Sequence, residues 1–359
     1  MAAQREKSNM IAKRASRRPL AADLHIATNG VDLGGVLEHD RTRTAGRALS
    51  LEAGRGLGGS SPVGLPGPRI RDANAVADPS ARPARGIDER HLLMTVTDFL
   101  TDSGRDDAGE LYWEAVGDGP PVLLIGGIGM DAGAWWRTIP ILARSFRVIT
   151  FDPRGLGRSA PAPFMCTTSD LAADSAAVMD AAGADAAHVY GFSLGGMVAQ
   201  RLALRHPERV RRLVLGSTHA GGMVTESGLG GITGPGPSFG CTDADRAAVP
   251  YTYGRRCRTE YPERIEEDLA RRVPLPYLTG NAQLGAAVSH DARAAVRRIE
   301  APTLVVHGAE DRLIPMAAGR HLAEEIPGAD LLVLPDAGHF YPTDEPSADV
   351  QIAAFLKAG

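Results

Sequence analysis

Six short runs of apolar residues recur along the last two-thirds of this chain, and their length constrains its fold more than any other feature. They are "PVLLIGG" (Pro121 to Gly127), "FRVITFD" (Phe146 to Asp152), "AAHVYGFS", "VRRLVLGST", "PTLVVHG" near 302 to 308, and "ADLLVLPDAG". Each run has strand length and stays apolar instead of alternating, the pattern of a strand covered on both faces. Helix signals separate them: "AWWRTIPILARS", "TTSDLAADSAAVMDAAG" with a start at Thr168 or Ser169 and a stop at Gly183, "LGGMVAQRLALRHP" closed by Pro207, "PMAAGRHLAEEIPG", and a last helix in "DEPSADVQIAAFLKA". Strands alternating with helices predict an α/β fold, a mostly parallel sheet flanked by helices. Ahead of this series, "MTVTDFL" and "ELYWEAVG" read as two strands of a hairpin across "TDSGRDDAG".

The first 90 residues follow different rules. No Phe, Tyr or Trp precedes Phe99, and 15 Lys and Arg stand against 10 Asp and Glu there, while the rest of the chain carries 24 against 33. Without aromatic residues or a patterned apolar face, such a segment buries too little surface to offset chain entropy. Residues 1–90 are therefore expected to be a disordered basic extension, and 91–359 the folded domain. Met94 opens directly onto strand-like sequence, so translation is expected to start there; a solvated tail and a targeting peptide, suggested by "AKRASRRP", are the other readings.

One stretch interrupts the alternation. About 221–297 is Gly- and Pro-rich at first and then Arg- and Glu-rich, as in "RRCRTEYPERIEEDLARR". Amphipathic helices inserted between two sheet strands are expected to form a lid over a site at the strands' carboxyl ends. The acidic folded part argues against a nucleic-acid partner. No apolar run reaches the ~18 residues of a membrane span, and no signal peptide opens the chain. The three cysteines, Cys166, Cys241 and Cys257, are odd in number and lack C-x-x-C spacing. They read as reduced thiols of a cytoplasmic protein, not as a disulfide framework or a metal site.

The stretch "YGFSLGGMVAQ" carries G-x-S-x-G around Ser193, and "GPSFG" repeats the pattern around Ser238. In a chain with 42 glycines the pattern alone decides nothing. Context does: Ser193 lies between a predicted strand and a predicted helix, whereas Ser238 follows "GITGPGP" with neither. A tight strand-to-helix turn strains the nucleophile's backbone, and glycines at 191 and 195 relieve the crowding. A serine hydroxyl needs a base. Past the next strands, "LVVHGAEDRLIP" supplies Asp311 and "VLPDAGHFYP" supplies His339. The order Ser193, Asp311, His339 suits three loops at one edge of a parallel sheet. Glu310 and Asp336 are the rival acids.

With these motifs and "FDPRGLGRS" at 151–159, the chain resembles the α/β-hydrolase superfamily from about Phe99 to its C-terminus, and most closely its small esterases and lactonases of the enol-lactone hydrolase and aclacinomycin methylesterase type. That resemblance implies Ser193 as nucleophile, His339 as base and Asp311 as the acid that orients it. The oxyanion hole would be the backbone N–H of Leu194 and of Ile128. Most members have His-Gly where this chain has Gly126-Gly127. The activity implied is hydrolysis of a small-molecule carboxylic ester or lactone, with no organic cofactor and no metal. Cofactor-free haloperoxidases (perhydrolases) and carbon–carbon bond hydrolases use the same three residues, and a ligand-binding protein on this fold is a further alternative. Asp152 and Arg154 read as loop architecture, Trp135 and Trp136 as core or acyl-pocket residues, and His219 and His307 as packed structural residues.

Overall fold

The computed structural model describes residues 69–72, 100–161, 165–222, 224–225, 228–229 and 242–358, all of which fall within one compact unit, Val63–Gly359. Among them the main sheet has nine strands: β1 (Arg69–Asp72), β2 (Leu100–Arg105), β3 (Tyr112–Val116), β4 (Pro121–Ile125), β5 (Arg147–Phe151), β6 (Ala187–Phe192), β7 (Val210–Gly216), β10 (Thr303–Gly308) and β11 (Asp330–Leu334). Two-residue strands β8 (Val224–Thr225) and β9 (Gly228–Leu229) pair separately. The sheet order is β1-β11-β10-β7-β6-β4-β5-β3-β2. Only β2 and β3 run antiparallel to their neighbours; the other pairings are parallel. The expected α/β-hydrolase architecture, a mostly parallel sheet flanked by helices, is what the chain builds.

The apolar runs become strands because both faces are covered. Every residue of β6 and β10 is buried. On one face the Thr168–Ala181 and Leu194–Arg205 helices pack with Met197, Leu202 and Val178 in a large cluster. On the other, Trp135, Tyr190, Phe146 and Ile352 belong to a second cluster that includes the C-terminal Ser347–Lys357 helix. Thr167 begins the first of these helices with a capping box, its side chain accepting from Asp170 N–H while the Asp170 carboxylate accepts from Thr167 N–H.

Two expectations move. The first strand of the hairpin is Leu100–Arg105, which begins at the last residue of the predicted strand and runs into the stretch read as a turn. The reversal is shorter, because Asp106 Oδ1 accepts from both Glu110 and Leu111 N–H, and Gly109 takes φ +71°. The assigned stretch 94–99 lies outside the described residues. The boundary of the extension shifts as well: Arg69–Asp72 runs parallel to Asp330–Val333 as the edge strand β1, so the sheet takes up chain before residue 91. A four-residue edge strand needs only main-chain pairing, and "RIRD" carries a single apolar side chain, so nothing in its composition marks it. Arg69 and Ile70 are exposed, which suits the outermost strand.

Between β7 and β10 the chain leaves the sheet for the Thr242–Thr252, Arg255–Glu260, Pro262–Arg271 and Tyr277–Val288 helices. This is the helical part of the insertion expected at 221–297.

β1 generates a test. Removal of residues 1–62 is expected to leave the melting temperature unchanged, whereas removal of 1–93 strips β1 from β11. The few main-chain hydrogen bonds lost contribute roughly 0.5–1.5 kcal/mol each, so the shorter chain should melt several degrees lower by calorimetry. Equal melting of the two truncations would show that β1 adds nothing.

Candidate active site

The site is organised by one strained residue. Ser193 follows β6 and precedes the Leu194–Arg205 helix, and its backbone sits at φ 54°, ψ −119°. A left-handed φ in a non-glycine residue costs on the order of 1–3 kcal/mol and persists only where its surroundings over-determine it. Here Ser193 N–H donates to Gly216 O at 2.8 Å, and Thr218 Oγ1 donates to Ser193 O at 2.7 Å. The glycines supply clearance. A Cβ at Gly191 would strike Gly195 O, and one at Gly195 would strike Ile125 O.

The carboxyl ends of β10 and β11 bring the partners in. His339 Nε2 lies 3.1 Å from Ser193 Oγ, and His339 Nδ1 lies 2.8 Å from Asp311 Oδ2. With Nδ1–H donated to the carboxylate, Nε2 is left as the acceptor for the serine hydroxyl. Asp311 Oδ1 accepts from Leu313 and Ile314 N–H, each at 2.9 Å. Burial alone would raise the Asp311 pKa; the His339 and His307 imidazoles outweigh it and hold the carboxyl well below the usual range. The rival acids face elsewhere. Glu310 accepts from Arg255 N–H, and Asp336 lies 4.0 Å from Arg256. Ser238 lies outside the described residues, as does Cys241; Cys166 and Cys257 are buried free thiols.

The two backbone donors expected of an oxyanion hole are available. Around Ile128, Gly127 N–H points to Met130 Sδ, Gly129 N–H to Gln283 Oε1 and Met130 N–H to Gly127 O. Among the described residues, neither Ile128 N–H nor Leu194 N–H has an intramolecular acceptor. Asp152 braces this loop, accepting from Ala132 N–H at 2.9 Å and from Arg158. Arg154 pairs with Asp174. Both are architecture, as the sequence predicts.

Ser193, His339, Ile128 and Leu194 open into a cavity of about 350 Å³. Its walls are mainly apolar, with Phe192, Met197 and Ile314 from the sheet side and Leu275, Leu284 and Ala287 from the helical insertion. Trp136 lines it, whereas Trp135 is core. Arg137 and Arg271 stack on Trp136 at 4.0 Å from its ring centroid. His219 is buried outside the lining; its Nδ1 accepts from Gly221 N–H, and burial lowers its pKa to about 4.

Three supports were invisible in the sequence. Ser217, left-handed at φ 43°, donates Oγ–H to His339 O at 2.8 Å. Gln283 reaches from the insertion to the oxyanion loop. Asp344 Oδ2 accepts from Gly338 N–H at 2.7 Å and from Gly254 N–H at 2.8 Å, joining the His339 loop to the insertion. Only "GST" at 216–218, directly after a strand, offered a hint.

A family model described as the alpha/beta hydrolase fold matches residues 120–346. The 2-hydroxymuconate semialdehyde hydrolase of Pseudomonas sp. CF600 is 36% identical over 242 residues, covering 62% of this chain and 82% of that one. Among solved structures, a thermophilic esterase from Thermogutta terrifontis is 27% identical with a TM-score of 0.62, covering 71% of this chain and 98% of that one. The enol-lactonase from Burkholderia xenovorans LB400 is 26% identical with a TM-score of 0.61, covering 71% and 99%.

Beneath the site, burial raises the Asp349 carboxyl to about 7 and the Asp344 carboxyl to about 6. Asp349 keeps one hydrogen bond, from Thr138 Oγ1 at 2.7 Å, and its Oδ1 is unpartnered. A carboxyl raised on folding stabilises most below its unfolded value, and that contribution is lost as pH rises through its folded value. Asp349→Asn is therefore expected to be more stable than wild type at pH 8.5, by on the order of 2–4 kcal/mol. The gap should shrink as pH falls through 7 towards 4. Urea unfolding across that range checks it; a gap constant with pH would contradict an ionised Asp349.

Proposed function

The chain belongs to the alpha/beta hydrolase fold family, and from that premise we propose that it is a serine hydrolase cleaving a small-molecule carboxylic ester or lactone. The observation that carries the reading is the hydrogen-bonded series Ser193–His339–Asp311 at 3.1 and 2.8 Å. Ser193 Oγ attacks the carbonyl carbon as His339 Nε2 takes its proton. Asp311 holds the imidazole in the productive tautomer and stabilises the imidazolium. The tetrahedral oxyanion lies against Leu194 and Ile128 N–H, each such donor being worth about 10² to 10³ in rate. His339 then protonates the leaving alkoxide and activates the water that clears the acyl-enzyme.

The helical insertion acts as the lid and sets the acyl pocket through Leu275, Leu284 and Ala287. Its apolar walls favour an uncharged acyl chain or ring. A cavity of about 350 Å³ lies at the small end of the roughly 300–1,000 Å³ typical of ligand sites, which favours short and medium substituents. The esterase and enol-lactonase neighbours support this class. A second reading, a substrate like that of the 2-hydroxymuconate semialdehyde hydrolase, draws on its 36% identity.

A panel of p-nitrophenyl esters, lactones and 2-hydroxymuconate semialdehyde tests the reading. Butyrate and hexanoate esters should exceed palmitate by roughly tenfold or more in kcat/KM, given the cavity's size. Ser193→Ala should lower kcat at least about 10⁴-fold in a folded protein, and Asp311→Asn by about three to four orders of magnitude. Turnover of the semialdehyde alone would favour the second reading; full activity in Ser193→Ala would remove the serine mechanism altogether.

A further inference from the structure

His307 lies behind the site, outside its cavity, and the sequence marks it only as a packed residue. It is the penultimate residue of β10 and fully buried. Its Nε2 lies 2.8 Å from Ile314 O and 3.3 Å from Asp311 Oδ2, the same oxygen that accepts from His339 Nδ1–H. A carbonyl only accepts, so Nε2 carries the proton; it donates to Ile314 O and stands 3.3 Å from the carboxylate, near enough to attract it. The other nitrogen, Nδ1, is buried without a partner among the described residues. A Cβ on Gly319 would meet it at 2.5 Å. Nδ1 faces that helix with no acceptor within reach among the described residues, so the ring acts through its Nε2–H as a donor fixed in place.

We propose that His307 is a positioning residue: its Nε2–H holds the Asp311 carboxylate in the rotamer that faces His339 and tempers the hydrogen bond between them. The inference rests on Ser193, His339 and Asp311 acting as proposed above. The loop 311–314 folds around this donor. Asp311 Oδ1 takes Leu313 and Ile314 N–H, Ile314 O takes His307 Nε2–H, and Oδ2 is left to the two imidazoles. Without His307 the carboxylate keeps its Oδ1 contacts but loses the donor that fixes the plane of Oδ2. The freed oxygen then directs more of its charge to His339 and favours the imidazolium there. The other titratable group nearby, His219, has its pKa lowered to about 4, chiefly by burial, so among the described residues Asp311 is the charge that faces the ring at neutral pH.

The test reads Ser193 reactivity without needing the natural substrate. An alkyl fluorophosphonate labels an activated serine: Oγ bonds to phosphorus, fluoride leaves, and His339 takes the proton. His307→Leu removes the donor at similar volume, and His307→Gln restores an N–H near the Nε2 position. His307→Leu should label roughly ten- to hundredfold more slowly, in line with the loss from a small misplacement. The acid limb of its pH–rate profile should move to higher pH, a change that loss of packing does not produce. His307→Gln should recover most of the rate and the wild-type acid limb. Gly319→Ala, which keeps the imidazole but displaces it, should slow labelling as well and carries the test if the leucine variant does not fold. Wild-type rate and acid limb in a folded His307→Leu protein, or in Gly319→Ala, would overturn the inference, as would a glutamine variant no better than leucine. Absence of labelling in the wild type would instead overturn the serine reading, and this one with it.

Discussion

The left-handed turn at Ser193 is the constraint on which the rest of the site depends. A strand ending in a sharp reversal into a helix projects its last side chain above the sheet only if the neighbouring backbone can crowd in. At Gly191 and Gly195 a Cβ would strike main-chain oxygens, and at Gly196 it would strike Thr218. Gly191 and Gly195 allow close approach of backbone to backbone, and Gly196 allows close approach of the Thr218 side chain. The same geometry points the first N–H of the following helix at the space above Ser193, where a developing negative charge would sit.

A nucleophile fixed this tightly demands equal precision from its partners, and the sheet supplies it through long-range contacts. β6, β10 and β11 deliver Ser193, Asp311 and His339 to one edge. Phe192 packs its ring 5.3 Å from that of His339 and also meets Phe340 and Tyr341 edge to face. Asp344 ties the His339 loop to Gly254 of the insertion, where Phe340 N–H also donates to Thr252 O at 2.9 Å. The insertion is therefore bonded to the loop that carries the imidazole, so the wall of the cavity and His339 are positioned together.

The sequence revealed the parts whose signal is local. Ser193 was separable from Ser238 because a strand and a helix flank it in the chain itself. Asp311 and His339 each follow an apolar run by a few residues. What stayed hidden depends on residues far apart in sequence: Ser217 and His339, Gln283 and Gly129, Asp344 and Gly254. β1 belongs to the same class, since its pairing with β11 joins opposite ends of the chain through main-chain atoms that carry no side-chain signature. The hairpin register slipped for a different reason. "TDSGR" is polar and reads as a turn, but as an outermost strand β2 needs no continuous apolar pattern.

Strain and support balance locally. Ser193 and Ser217 are the two non-glycine residues with positive φ among the described residues, and they are linked. Ser193 N–H donates to Gly216 O, immediately before Ser217. Thr218, immediately after it, donates to Ser193 O. Ser217 N–H donates to Val306 O, next to His307, and its hydroxyl to His339 O. Each strained residue costs on the order of 1–3 kcal/mol, and each buried hydrogen bond returns about 1 kcal/mol. Four such bonds are of the size needed to hold two strained serines. They also run from the nucleophile through the end of β7 to the strand that carries His307 and to the loop that carries His339. Removing any one of them loosens a strained turn and a catalytic distance together, so the hydrogen bonds that make the elbow tolerable are the same ones that set its geometry.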